Sequence, residues 1–578
     1  MPKAERILPL LRWARLYNRS MLVDDLLAAV TVTLMLIPQS LAYAMLAGLP
    51  PQMGLYASIL PLIAYCLFGS SHTLAVGPVA VISLMTATAA AQIAEAGSAV
   101  NIEVAMALAL LSGAMLALMG VLRFGFVADF MSHPVMTGFI SASGVLIAAS
   151  QLKHLLGISA NGQSLVAIFD SLIRHLADTN TVTAIVGGGA LALLYGLRRW
   201  SVAVLKALGV PARAALLLSR AAPILAVALT TVLVALFRLD QEGVAIVGHI
   251  PATLPDIRVP TLSKDVWLEI LSAAALISLV GFVESISVAQ TLAIRRRQSI
   301  DANQELMGLG AANLAASVSG GYPVTGGFAR SAVNFEAGAQ TPAAGALTAV
   351  GIAIAIALLV PFLYYLPQAT LSATIIIAVL TLVNIRAFRQ AWRYDKSDFT
   401  SMVVTATLTL LVGVKQGILC GIICTFGLYF ARTSRPRCVE VGLLSGTREF
   451  QDVRGDKVGV LPTILTLRID ESLFFANARF LETQVMKAAA NRCDLKHVIL
   501  MCTSVNEIDG SALESLAAIN DRLLDGGIRF HLSELKPQVL DRLGRSDFLT
   551  LLSGSVFNSQ FSALQRLSAE KDDPAAAI

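Results

Sequence analysis

Apolar runs close to bilayer length recur along this chain, and no other feature limits its fold so tightly. LLAAVTVTLMLIP (26–38), AMALALLSGAMLALMGV (105–121) and TAVGIAIAIALLVPFLYYL (348–366) approach the ~20 residues a helix needs to cross a bilayer. The whole chain is 56% hydrophobic and 14% charged, well below the roughly 25% charge of a soluble domain. A polytopic α-helical membrane protein follows. The first apolar run is longer than a signal-peptide core, so no cleaved leader is expected.

Basic residues set the orientation. Lys3, Arg6, Arg12, Arg15 and Arg19 precede the first span, and further clusters fall at Arg198/Arg199, Arg295–Arg297, Arg386–Lys396 and Arg432–Arg437. The positive-inside rule places them all in the cytoplasm. About fourteen spans satisfy this, with both termini cytoplasmic. After Cys438 the pattern changes. VLPTILTLRI and HVILMCTSV read as buried strands, NARFLETQVMKAAAN and SALESLAAINDRLLDGG as amphipathic helices. That alternation predicts a small α/β domain over 437–578, behind a transmembrane domain over 1–436. The six cysteines lack metal or disulfide spacing and read as reduced apolar residues. The seven histidines show no ligand spacing and the serines no hydrolase pattern, so no cofactor and no enzyme is expected. The net charge of +5 calls for no nucleic-acid partner.

Two apolar segments break at glycine, HTLAVGPVAVISLM at Gly77-Pro78 and YPVTGGFARSAVNF at Gly326-Gly327. Non-helical backbone at membrane depth is tolerated only where it lines a cavity. Paired breaks in the two halves point to an inverted-repeat transporter with its site between them. Each break follows a span bearing a polar residue: Gly77 lies 38 residues after Gln39, and Gly326 lies 42 after Glu284. A helix starting at such a break presents unbonded N–H groups and a positive dipole end, which together suit an anion. Arg330, in the first turn of the second such helix, adds a charge and a fork of donors that fits oxyanions.

These stretches resemble the SulP (sulfate permease) family of anion transporters. IPQSLAYAMLAGLPPQMGLYAS (37–58) is similar to its first-span signature and PPxxGLYxS motif. GFVESISVAQTLA (281–293) and GGYPVTGGFARSAVNFEAGAQT (320–341) resemble its eighth and tenth spans. LFFANARFLE and VNEIDGSALESL resemble the STAS domain such proteins carry. The resemblance implies two inverted repeats of seven segments, arranged as core and gate domains, with the anion between the starts of spans three and ten. It carries over Gln39, Tyr43, Val76, Gly77, Pro78, Val79, Gly326, Gly327, Phe328, Ala329, Arg330 and Ser331 as substrate-binding positions and Glu284 as the proton-coupling one. It also allows a homodimer. Many members have serine before the arginine, where this chain has Ala329.

Each residue has a plainer reading. Glu284 could be a structural carboxylate bonded to backbone or to Arg330. Against this, an ionisable group inside a span costs about 2.5–3.5 kcal/mol and is functional by default. Arg330 could brace its helix, and Gln39 with Tyr43, one turn apart, could form an interhelical hydrogen bond. Ser511, where STAS relatives carry a phosphorylatable serine, could simply be a helix-start residue. The expected function is proton symport of a small oxyanion, sulfate first, in a bacterial-type inner membrane. Bicarbonate or a C4-dicarboxylate with sodium, a channel or exchanger, and a nucleobase-type permease are the rivals. Val288 offers no hydroxyl to sodium one turn after Glu284, which favours protons.

Overall fold

The computed structural model describes residues 8–94, 97–130, 132–160, 162, 164–209, 211, 222–251, 253–454 and 458–569; Lys3 and Arg6 of the first basic cluster lie outside them. The chain divides into two compact units, Met1–Thr425 and Phe426–Ile578.

The first half of the membrane region runs α1 Arg19–Leu46, α2 Leu60–Phe68, the short strand β1 Val76–Gly77, α3 Ala80–Ala90, α4 Ala99–Val121, α5 His133–Leu156, α6 Leu165–Arg174, α7 Thr181–Ala207 and α8 Ala222–Phe237. The second half repeats this order: α9 Lys264–Arg295, α10 Ala302–Val318, β2 Thr325–Gly326, α11 Phe328–Ala337, α12 Ala343–Leu359, α13 Gln368–Val379, α14 Ile385–Tyr394, α15 Lys396–Leu411 and α16 Val414–Thr433. The short amphipathic helices α6 and α14 stand between the fifth and sixth spans of their halves. Without them each half has seven helices among the described residues, matching the seven segments expected.

Seven helical stretches among the described residues are long and apolar enough to cross a bilayer alone; α3 and α11 are only half-length. In the first half of α1, Leu22, Leu26, Leu27 and Val30 are exposed while Asp25, Ala28, Ala29 and Val32 are buried, so this stretch shows one face to lipid and one to its neighbours. Asn18 starts it by accepting the Met21 N–H at 2.9 Å. Small residues set the closest packing. A Cβ on Gly113 of α4 would fall 2.7 Å from the Leu314 backbone N of α10, and one on Gly310 would fall 2.6 Å from Ala117 N. These two helices touch backbone to backbone, the dispersion-driven packing expected where lipid removes the hydrophobic drive.

The second unit carries a sheet of β3 Cys438–Leu444, β4 Phe450–Asp452, β5 Val458–Gly459, β6 Ile464–Ile469, β7 His497–Met501, β8 Arg529–Ser533 and β9 Val556–Phe557. Strands β6 to β9 are parallel neighbours and β3 joins β6 antiparallel. Helices α17 Ala478–Ala490 and α18 Gly510–Asp525 supply the crossovers, packing Leu481, Val485, Leu516 and Ile519 onto the buried β7 and β8. Both strands and both helices read from the sequence are present. The β3–β5 ribbon is an addition, because its strands are too short or too exposed to carry an alternating pattern.

Candidate functional site

The two breaks meet. β1 and β2 pair antiparallel, Val76 opposite Gly326 and Gly77 opposite Thr325. Two residues a side have no stability of their own, so neighbouring side chains hold the backbone. Asn313 of α10 accepts the Val324 N–H and donates to the Val324 carbonyl, both at 2.9 Å. Ser285 of α9 accepts the Gly326 N–H at 2.8 Å, and Thr325 donates to the Gly281 carbonyl at 2.6 Å. Ser331 accepts the Ala75 N–H at 2.9 Å and Asn334 donates to the Thr73 carbonyl at 3.1 Å. Non-helical chain thus persists at membrane depth because its polar groups are satisfied by protein.

From this crossing α3 and α11 depart with their amino ends together. Their N-cap residues, Val79 and Gly327, provide no side-chain cap, whereas Asn18, Ser98 and Asp301 cap α1, α4 and α10. Arg330 sits between the two starts. It is 2% exposed, and its Nη1 donates to the Pro78 carbonyl at 2.6 Å. Among the described residues its Nε and Nη2 have no hydrogen-bond partner. Gly77, at φ +151°, makes room: a Cβ there would lie 3.1 Å from Nη1.

The arginine faces a cavity of about 310 Å³ that Gln39, Tyr43, Pro78, Val79, Glu284, Gly327, Phe328 and Ala329 also line. Gln39 and Tyr43 are buried on the same face of α1, one turn apart. Glu284 Oε2 is buried and, among the described residues, has no hydrogen-bond partner, so the carboxylate and the guanidinium are not satisfied by each other. Val76, Gly77, Gly326 and Ser331 lie behind the wall. The first three act through backbone, and the Ser331 hydroxyl is taken up by Ala75 N. It therefore leaves the position of the serine that Ala329 replaces unfilled.

Several residues at the site were not legible beforehand. Arg198 of α7 lines the same cavity and donates from Nη1 to the Ile377 carbonyl of α13 at 3.2 Å. As one of the Arg198/Arg199 pair it serves only to set orientation in the sequence. Ser285, Asn313 and Thr325 look like ordinary helix or loop residues until the crossing is seen. A wider cavity of about 610 Å³ adjoins the first, sharing Glu284, Phe328, Thr381 and Leu382 and adding His133, Asn384 and Arg386. Among the described residues no group of three His, Cys, Asp or Glu could hold a metal.

In the C-terminal unit Ser511 is exposed and second in α18. The helix is capped instead by Asp509, which accepts the Ala512 N–H at 2.8 Å through one oxygen and the Phe475 N–H at 2.8 Å through the other. Ser511 is thus a first-turn residue of the helix, and the capping role falls to Asp509.

The sequence profile of the Sulfate permease family matches residues 22–405. The chain belongs to the sulfate permease family. The STAS domain profile matches residues 457–563, so this family member carries that domain at its C-terminal end. Among its relatives is "Sulfate transporter 4.1, chloroplastic" of Arabidopsis thaliana, 34% identical over 96% of this chain and 81% of that one. High affinity sulfate transporter 1 of Stylosanthes hamata is 29% identical over 94% and 83%. Membership makes the chain a multi-pass membrane transporter rather than an enzyme. In fold it is similar to SLC26A9, with a TM-score of 0.88, 21% identity and 98% and 94% of the two chains covered. It is also similar to the transmembrane domain of a cyanobacterium bicarbonate transporter, BicA, with a TM-score of 0.60, 20% identity and coverage of 71% and 98%.

Proposed function

We propose that this permease carries sulfate, or an oxyanion of its class, into the cytoplasm by proton symport with alternating access. One observation carries the reading: among the described residues Arg330 Nε and Nη2 and Glu284 Oε2 are buried and unpartnered, and both residues line one cavity. A buried charge without a partner costs several kcal/mol. An anion on Arg330 and a proton on Glu284 relieve both at once. An ionised Glu284 would repel an arriving dianion, so proton and anion load together.

In this scheme residues 1–436 transport and residues 437–578 form the cytoplasmic STAS domain, in a bacterial-type inner membrane with both termini inside. The wider cavity with His133 and Arg386 is the cytoplasmic exit, and Arg386 belongs to one of the basic clusters that the positive-inside rule keeps there. Relatives named as sulfate transporters support the substrate. A homodimer is proposed on the family resemblance.

The test is uptake of labelled sulfate, bicarbonate and fumarate by proteoliposomes, with and without an inward proton gradient. Sulfate uptake rises with the gradient, and Glu284→Gln abolishes that dependence. Uptake indifferent to the gradient overturns symport in favour of a channel or exchanger. Preference for bicarbonate or fumarate overturns the substrate.

A further inference from the structure

We propose that α14 is a binding site for anionic phospholipid of the cytoplasmic leaflet, and that the lipid holds one wall of the exit cavity. Which leaflet it meets rests on the orientation given above; the capture of lipid does not. α14 reads IRAFRQAWRY (385–394) and contains no acid. Ile385, Phe388 and Trp392 recur at i, i+3 and i+7 along one stripe, and Arg386, Arg389 and Arg393 recur at the same spacing along the next. An apolar, aromatic stripe beside a basic one suits a membrane surface, where the rings enter the acyl boundary and the arginines reach lipid phosphate.

The plainer reading is that α14 only covers the ends of α5 and α15, with its arginines in water. A cover would bury its apolar stripe in protein. Ile385 is 75% exposed and Trp392 58%, and no residue of the helix is buried. The three arginines are exposed as well. α6 holds the same place in the first half and provides the comparison. It buries Ile168 and Leu172, and its two charged residues, Asp170 and Arg174, pair at 2.9 Å. Inverted repeats put α6 and α14 on opposite sides of the membrane, and the cytoplasmic leaflet is the negatively charged one. The basic helix is the one that meets it. Asp395 and Asp398 follow at the start of α15, where Asp395 accepts the Ser397 N–H at 2.7 Å. Against them stand Arg386, Arg389, Arg393 and Lys396, so the segment stays net positive.

The helix is attached to the transport path at its start. The Asn384 N–H donates to Ser141 Oγ of α5 at 3.2 Å, and the Asn384 side chain caps α14 by accepting the Ala387 N–H at 3.1 Å. Ser141 in turn donates to the Leu382 carbonyl at 3.4 Å. Thr381 and Leu382 line both the central cavity and the wider one, and Asn384, Ile385 and Arg386 continue the wall of the wider one. At the other end Trp392 packs edge-on against Phe399 of α15, ring centroids 4.8 Å apart. A shift of α14 therefore carries the exit wall with it. Lipid phosphate on the arginines keeps the helix, and the opening beside it, where they stand here.

The experiment uses the purified full-length protein in phosphatidylcholine vesicles containing increasing phosphatidylglycerol, with one lipid or the other dibrominated in its chains. Bromine quenches tryptophan at contact, and subtracting the Trp392→Phe signal isolates Trp392 from Trp13, Trp200 and Trp267. Both brominated lipids quench Trp392, and phosphatidylglycerol does so at the lower mole fraction. Arg389→Gln with Arg393→Gln, first shown monodisperse, lowers that preference by roughly fivefold per arginine, the factor one basic side chain contributes at an anionic surface. Arg389→Lys with Arg393→Lys retains it. In the same vesicles phosphatidylglycerol raises labelled sulfate uptake by the wild type but not by the glutamine pair, which equals the wild type in phosphatidylcholine alone. Quenching of Trp392 by neither lipid shows that protein covers this face and overturns the proposal. A preference equal in the wild type and the glutamine pair overturns the headgroup site. Uptake with the same lipid dependence in both overturns the hold on the exit. An intact preference with no sulfate uptake in any composition supports the lipid site and overturns the transport reading instead.

Discussion

Gly77→Ala puts the smallest possible group where the account allows none. At φ +151° an alanine is held in a region that costs on the order of 1–3 kcal/mol. Its Cβ would lie 3.1 Å from Arg330 Nη1 and 3.4 Å from Cζ, closer than carbon and nitrogen usually approach. The guanidinium shifts by a few tenths of an ångström, loosening its bond to the Pro78 carbonyl and misaiming Nε and Nη2. If the strain is drawn from the anion-bound state, kcat/KM for sulfate falls by about 5- to 140-fold, at 1.4 kcal/mol per decade. Gly97→Ala is the matched control. Its φ of +76° is also left-handed, and nothing lies within 4 Å of its would-be Cβ, so it carries backbone strain without touching Arg330. Labelled sulfate uptake at several concentrations reads both variants. Wild-type kcat/KM in Gly77→Ala, or an equal loss in Gly97→Ala, would refute the claim that this glycine serves the arginine.

Other predictions concern the scaffold. Asn313→Ala leaves the buried Val324 N–H and carbonyl without partners, at roughly 1–3 kcal/mol each; detergent-solubilised protein should melt several degrees lower, and an unchanged melt would count against the crossing as drawn. In the STAS unit, Asp509→Ala should cost about 1–2 kcal/mol by uncapping α18, and Ser511→Ala under about 0.5 kcal/mol, as read by urea unfolding of residues 426–578. His531 gives a pH dependence. Its Nδ1 accepts the Ser555 N–H at 3.0 Å, so in the neutral ring Nε2 holds the proton and donates to His497 Nδ1 at 3.1 Å. Burial first, then His497 and Arg529, push its pKa down from 6.5 to about 4. Between those values the unfolded chain binds the extra proton, so this stability is complete above pH 6.5 and lost as pH falls toward 4. Its size is on the order of 2–3 kcal/mol. The same unit carrying His531→Gln should show a flatter melting profile across pH 4–7.

How much of this was readable in the sequence depended on the range of the interaction. The paired breaks and the α/β tail follow from periodicity and from glycine and proline, which act within a few residues, while the span number comes from the basic clusters through the positive-inside rule. Glu284 and Arg330 stood out because charge inside a span is expensive wherever the chain goes. The β1–β2 pairing joins residues about 250 apart through strands too short to show alternation. The direction of Ser331, away from the cavity and onto Ala75 N, depends on that pairing. The roles of Asn313 and Ser285 exist only once three separate segments meet. Arg198 serves in the sequence only to mark orientation, and that it also reaches the cavity shows only where α7 packs against α13.

The central claim is that an oxyanion occupies the space between the starts of α3 and α11. Selenate is a sulfate analogue whose selenium scatters anomalously, and a crystal grown with it tests the claim directly. The account predicts an anomalous peak within hydrogen-bonding reach of Arg330 Nε and Nη2 and of the first amides of both half-helices. Saturating selenate with no peak in that cavity, or with Arg330 still unpartnered beside an anion bound elsewhere, would contradict it.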